Sequence, residues 1–162
     1  MDKQEVTLEM VVRQEQTLQF SSFSNEMALE LGNLIVEMAR AAQQAVAVDI
    51  TRNGTMLFFH GMTGTTKDNA DWIRRKSNLV NRTGHASFYT NIDVKRRGGD
   101  VDAIATLDAR DYAAHGGAFP LVVKDVGQVG TITVSGLPGA EDHALVVRAL
   151  RRYLKVDADA GA

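Results

Sequence analysis

"AVAVDITRNGTMLFFH", residues 45–60, decides the fold class of this chain. Val46, Val48 and Ile50 alternate, the period-two signature of a strand with one buried face. Asn53-Gly54 is the dipeptide preferred in a type I′ turn, because both central positions need positive φ. Thr55 to His60 then returns as the partner strand, so the stretch reads as a β-hairpin. A second hairpin follows in "PLVVKD" and "QVGTITVS", with Gly127 in the tight connection.

Helices fill the space around these hairpins. Residues 4–14 read as a short helix, followed by "TLQF" as a brief strand. Ser24 is a good N-cap, and Met27, Ala28, Leu31, Leu34, Ile35, Met38 and Ala42 recur behind it at helical spacing. Thr65 and Asp68 are spaced as a capping-box variant for a helix that Gly84 ends. Residues 86–114 predict two short helices around a "KRRGGD" surface loop, the second over "DARDYAAH". Pro138 suits the first turn of a final helix, where its missing N–H costs nothing. The expected architecture is α+β: one domain over residues 1–156 with about five strands, helices on both sheet faces, and a frayed tail at 157–162.

Composition narrows the function classes. No apolar run approaches the roughly 20 residues that span a bilayer, and the acidic amphipathic start lacks a signal-peptide pattern, so a cytoplasmic protein is expected. Without cysteine, disulfides and thiol catalysis are excluded. Residues 67–97 hold eight bases and three acids within a chain of net charge −2, which suits an anion site or a self-complementary oligomer surface. Aromatics are only 6%, too few for the stacking platforms of a general nucleic-acid binder.

Several motifs fail on spacing. "HGMTGTTK" lies between a strand and a helix, but only two residues separate Gly61 from Gly64 and Asp68 follows Lys67, so it is no phosphate loop. "TVSGL" lacks the flanking glycines of a nucleophile elbow. His60, His85, His115 and His143 lie 25 to 30 residues apart and form no local metal pattern.

What remains is a set of candidate ligand-binding residues. On a helical projection of "WIRRKSNLVNRTGH", Asp71, Arg75, Asn78, Arg82 and His85 share one side. That stripe suits a carboxylate or phosphate gripped by guanidinium forks, or equally a solvated face or an interface salt-bridge row. In "DYAAHGGAFPLVV", residues 111–123, the glycines read as structural, Gly116 as a left-handed helix cap and Gly117 as the turn. His115 stays as a functional candidate, and Asp142–His143 as a candidate acid–base pair.

"DITRNG", "WIRRKSNLVNRTGH", "DYAAHGGAFPL", "VGTITVSGLP" and "EDHALVVRAL" together resemble the haem-degrading-domain family of GlcG-like and HbpS-like proteins, from about Phe20 to Leu154. The resemblance implies a profilin-like three-layer α/β/α fold with a five-stranded antiparallel sheet, and a homo-oligomer. It also implies a small-ligand-binding protein, with haem or another anionic molecule as ligand. Arg74, Arg75 and Arg82 would face carboxylates, and His85, His115 or His143 would serve an iron or a proton. Two other readings stand beside it: an oligomeric adaptor engaging another protein through the acidic "KVDADAGA" tail or its outer helices, and an enzyme using Asp142–His143.

Overall fold

A computed structural model describes residues 5–157. In chain order the elements are α1 (Leu8–Thr17), α2 (Asn25–Ala41), β1 (Ala47–Arg52), β2 (Thr55–Gly61), α3 (Lys67–Thr83), α4 (Ser87–Arg96), β3 (Ala118–Val123), β4 (Gly127–Ser135) and α5 (Gly139–Leu154). Both hairpins form, and β1 also pairs with β4, giving an antiparallel sheet of order β2-β1-β4-β3. Asn53 and Gly54 have φ of 49° and 79°, the type I′ geometry their sequence specifies.

The sheet has four strands, not the five expected. α1 runs on through Thr17 and Leu18 caps it, so only Phe20 of "TLQF" reaches the sheet. Phe20 makes one parallel bridge to Val123, its N–H donating to the Val122 carbonyl at 2.9 Å and its own carbonyl accepting from Lys124 N–H at 2.8 Å. A strand cannot grow from one residue caught between a helix cap and the next loop.

Strand alternation gives the two faces different chemistry. Val48, Ile50, Ile132, Val134 and Leu121 turn one way, into a core closed by Leu31 and Ile35 of α2 and Leu145, Val146 and Leu150 of α5. Thr133 and Ser135 turn the other way and meet α3 through polar contacts: Ser77 Oγ lies 2.8 Å from Thr133 Oγ1, and Asn69 Nδ2 donates to Ser135 Oγ at 3.3 Å. Helix ends follow local rules. Ser24 accepts from Met27 N–H, Thr66 and Asn69 cap α3 reciprocally one residue later than expected, and Gly84 closes it at φ 75°.

Residues 97–117 hold neither helix nor strand, which corrects the second of the two short helices expected there. Asp111 and Tyr112 N–H groups both bond to the Asp108 carbonyl at 3.0 Å, and the turn stops. The carbonyls that would continue it are taken from outside. Arg74 donates to Arg110 O at 2.7 Å, Asn78 to Asp111 O at 2.9 Å and Asn91 to Ala114 O at 2.8 Å. Among the described residues no helix is long and apolar enough to cross a membrane.

Candidate functional site

Residues 113–118 pass between α3, α4 and α5 as an irregular segment pinned by its neighbours. Ala113 N–H donates to Arg75 O at 3.3 Å, the buried Asn91 holds Ala114 O, and the buried Ser87 hydroxyl accepts from Ala118 N–H at 3.1 Å. Gly116 has no left-handed φ, contrary to its expected role as a helix cap. Its lack of a side chain serves close approach: a methyl there would overlap the Gly139 carbonyl at the start of α5. Gly117 does have positive φ, 133°, and a methyl there would collide with Lys76 Nζ and the Val134 carbonyl.

Lys76 makes this arrangement possible. It falls on the buried face of α3 with Ile73, Leu79 and Val80, and only 3% of its side chain is exposed. Its three N–H groups are all used, donating to Val134 O at 2.6 Å, Gly116 O at 3.0 Å and Asp142 Oδ2 at 3.3 Å. Asp142 Oδ1 in turn accepts from Leu137 N–H at 3.0 Å. Burial pushes the Asp142 carboxyl up to about 6 against the pull of Lys76, and burial pushes the Lys76 ammonium down. A buried ammonium thus joins α3, β4, the 113–118 segment and the start of α5.

His115 projects from this pinned segment with 32% of its side chain exposed. Its ring meets Trp72 edge to face at 5.5 Å, and its Nε2 lies 2.8 Å from Asp102 Oδ1. Arg75 stacks its guanidinium 4.1 Å from the Trp72 centroid on α3. Two concavities share His115, Gly116 and Gly139. The larger, 1140 Å³, runs between the start of α1, α4 and α5, with Phe88, Ile92 and Ala144 among its apolar lining and both bases, Lys95, Arg96 and Arg148, and acids, Glu5, Glu9 and Glu141, as its charges. The smaller, 340 Å³, is bounded by Asn69, Trp72, Ser135 and the Lys76–Asp142 pair.

The other candidate residues go elsewhere. Arg74 is held by Asp71 and Asp111, and Arg75 by Asp71 at 2.9 Å. Arg82 approaches Tyr112 OH and Thr106 O, each at 3.5 Å, with its guanidinium 5.3 Å from the Tyr112 ring. Arg74 and Arg82 therefore fasten residues 106–112 to α3, while Arg75 pairs within its own helix. His85 pairs with Glu15 at 2.8 Å and stacks on Tyr89 at 3.9 Å, tying α1 to α4. His143 lies wholly within the core between Phe88 and Phe119, with Nε2 2.8 Å from Gln14 Oε1, and lines neither concavity. The expected Asp142–His143 pair does not exist, because successive helical residues point about 100° apart. Asp142 faces Lys76 while His143 faces Gln14.

Sequence reading missed Lys76, Asp102 and the cations of the larger groove. Lys76 alone left a signal: it sits at i+3 from Ile73 and i−4 from Val80, on the stripe that a helix buries. Asp102 lies in a segment without periodicity, and nothing local links it to His115.

An antiparallel sheet between helical layers, with a groove whose lining includes one histidine, His115, defines a small α+β class. The chain belongs to the family described as haem degrading protein HbpS-like, whose model matches residues 23–151. It is 45% identical over 148 residues to a UPF0303 protein of Streptomyces coelicolor, covering 91% of this chain and 94% of that one. Among solved structures, the Ybr137w protein superposes with a TM-score of 0.84 at 30% identity, over 94% of this chain and 90% of that one. A PduOC:haem complex superposes with a TM-score of 0.65 over 80% of this chain and 93% of that one; at 20% identity this is a likeness of fold.

Proposed function

We propose that this protein binds a small anionic amphiphile, haem foremost, in the groove between α1, α4 and α5. The observation that carries the reading is the position of His115, the one of the proposed ligand histidines whose ring lines this groove. At 1140 Å³ the groove slightly exceeds the roughly 300–1,000 Å³ of ordinary ligand sites, in keeping with a large planar ligand. The residues fit haem in kind. Phe88, Ile92 and Ala144 offer apolar surface, His115 an imidazole, and Lys95 and Arg148 cations for carboxylates, while Arg96 is shared with Glu9 at 3.1 Å. Bound haem would supply the ligand and electron chemistry of its iron. The chain's own part is to hold the imidazole on a pinned backbone and to shield one face of the ligand. Membership of the HbpS-like family and the fold shared with a haem complex support the assignment.

Titration with haemin tests it. A Soret shift that saturates in the wild type and is weakened at least tenfold in His115→Ala, with His85→Ala unaffected, is the expected result. No shift, or a shift indifferent to His115→Ala, overturns it.

Self-association belongs to the same proposal. β2 is an edge strand, and Met56 and Phe59 on it are 60% and 43% exposed, an apolar edge suited to a second copy. Native mass spectrometry should show a multimer that Phe59→Lys reduces to smaller species; a monomeric wild type would remove this part. The alternative adaptor tail falls largely on residues 158–162, outside the described residues.

A further inference from the structure

We propose that Asp102 is a displaceable latch on His115, occupying the imidazole nitrogen that a metal-centred ligand in the groove would take. The proposal rests on the ligand-binding reading above and adds how access to that site is controlled.

The two partners are held very differently. His115 stands on the 113–118 segment, fixed by Arg75 O, Asn91, Lys76 and Ser87. Asp102 stands on the 97–112 loop, and 72% of its side chain is exposed. Residues 97–99 bond back to α4, and the loop's other polar ties cluster at its far end, where Arg74, Asn78 and Arg82 reach Thr106, Arg110 and Asp111. Among the described residues, Asp102 to His115 is the one hydrogen bond that joins residues 100–105 to anything outside the loop. Behind it, the half-buried Val101, Ile104 and Leu107 line a 60 Å³ pocket with Ala113 and Ala114.

The chemistry follows from which atom is taken. Nε2, at the outer edge of the imidazole, is the nitrogen that reaches furthest from the backbone, and the Asp102 carboxylate occupies it at 2.8 Å. A ligand that bonds to Nε2 must first displace the carboxylate. The apparent affinity is therefore reduced by the fraction of molecules in which the latch is closed. Displacement frees residues 100–105, so occupancy is reported by the loop. The opposite role, in which Asp102 orients the ring for ligation through Nδ1, makes the reverse prediction: its removal would weaken binding.

Asp102→Ala, an exposed loop change, separates these. Haemin should bind this variant roughly two- to fivefold more tightly than wild type, the range expected when one exposed histidine–carboxylate contact is removed from the competition. Unchanged or weaker binding overturns the latch. In the ligand-free protein, carbethoxylation of His115 by diethyl pyrocarbonate, read by peptide mass, should run several-fold faster in Asp102→Ala. Amide exchange over residues 100–105 should rise alike in Asp102→Ala and His115→Ala. If neither changes, the latch is absent whatever the ligand. If wild type and variant both fail to bind haemin, the haem reading falls, while these ligand-free measurements still decide the latch.

Discussion

Lys76 and Asp142 face each other at 3.3 Å with 3% of either side chain exposed. Removing one partner of such a pair leaves an uncompensated buried charge, at a typical cost of about 3–5 kcal/mol. Lys76→Met should fall in this range by urea unfolding at neutral pH, since the Gly116 and Val134 carbonyls also lose their donor. Asp142 is an acid whose folded value, about 6, lies above its unfolded 3.8. Its contribution is thus full below 3.8 and lost as pH rises through 6. Without Lys76 the carboxyl is pushed higher still, so the deficit of Lys76→Met should be larger at pH 8 than at pH 4.5. An equal deficit at both would show that the carboxylate is not the group left stranded.

His143 gives the opposite slope. Complete burial, with a smaller contribution from Arg151, lowers its imidazole from 6.5 to about 3, and its Nδ1 has no partner in the core. A depressed base stabilises the fold fully above its unfolded value and loses that contribution as pH falls through the folded one. The loss amounts to on the order of 4–5 kcal/mol between pH 6.5 and 3. His143→Gln keeps a donor for Gln14 but cannot titrate. Urea midpoints from pH 7.5 to 4 should therefore fall more steeply in wild type than in His143→Gln; parallel curves would contradict a neutral core histidine.

Gly116→Ala tests the close approach of the 113–118 segment to α5. The added methyl overlaps a backbone carbonyl rather than a flexible side chain, so overpacking should cost about 1–3 kcal/mol. The haemin affinity should fall as well, because His115 shifts with the segment. A fully stable variant would mean that α5 can yield at Gly139.

Arg74→Ala should leave the melting temperature nearly unchanged, since its ion pairs are about half exposed. Its effect should appear as faster amide exchange across residues 106–112, where its donors reach Arg110 and Asp111. Exchange unchanged from wild type would show that Asn78 and Arg82 suffice to hold that end.

Elements with local causes are legible in the residues themselves. Asn53-Gly54 specified its turn, Ser24 and Gly84 their helix ends, and alternating valines and isoleucines the strands. The HbpS-like family, too, was legible in its motifs. The strand count was missed by one because α1 propagates to Thr17, a question of where a helix stops rather than of pattern. The 108–115 helix was misread because donors from α3 and α4, distant in sequence, take the carbonyls it would need.

The site depends on contacts between residues far apart in the chain. Arg74, Arg75 and Arg82 look available in the sequence, and carboxylates and carbonyls up to 37 residues away occupy them. His115 and His143 are equally plain in the sequence, yet one reaches a groove and the other a sealed core. Burial and pairing of a charged group depend on what the rest of the chain brings within a few ångströms, and no local pattern encodes that distance.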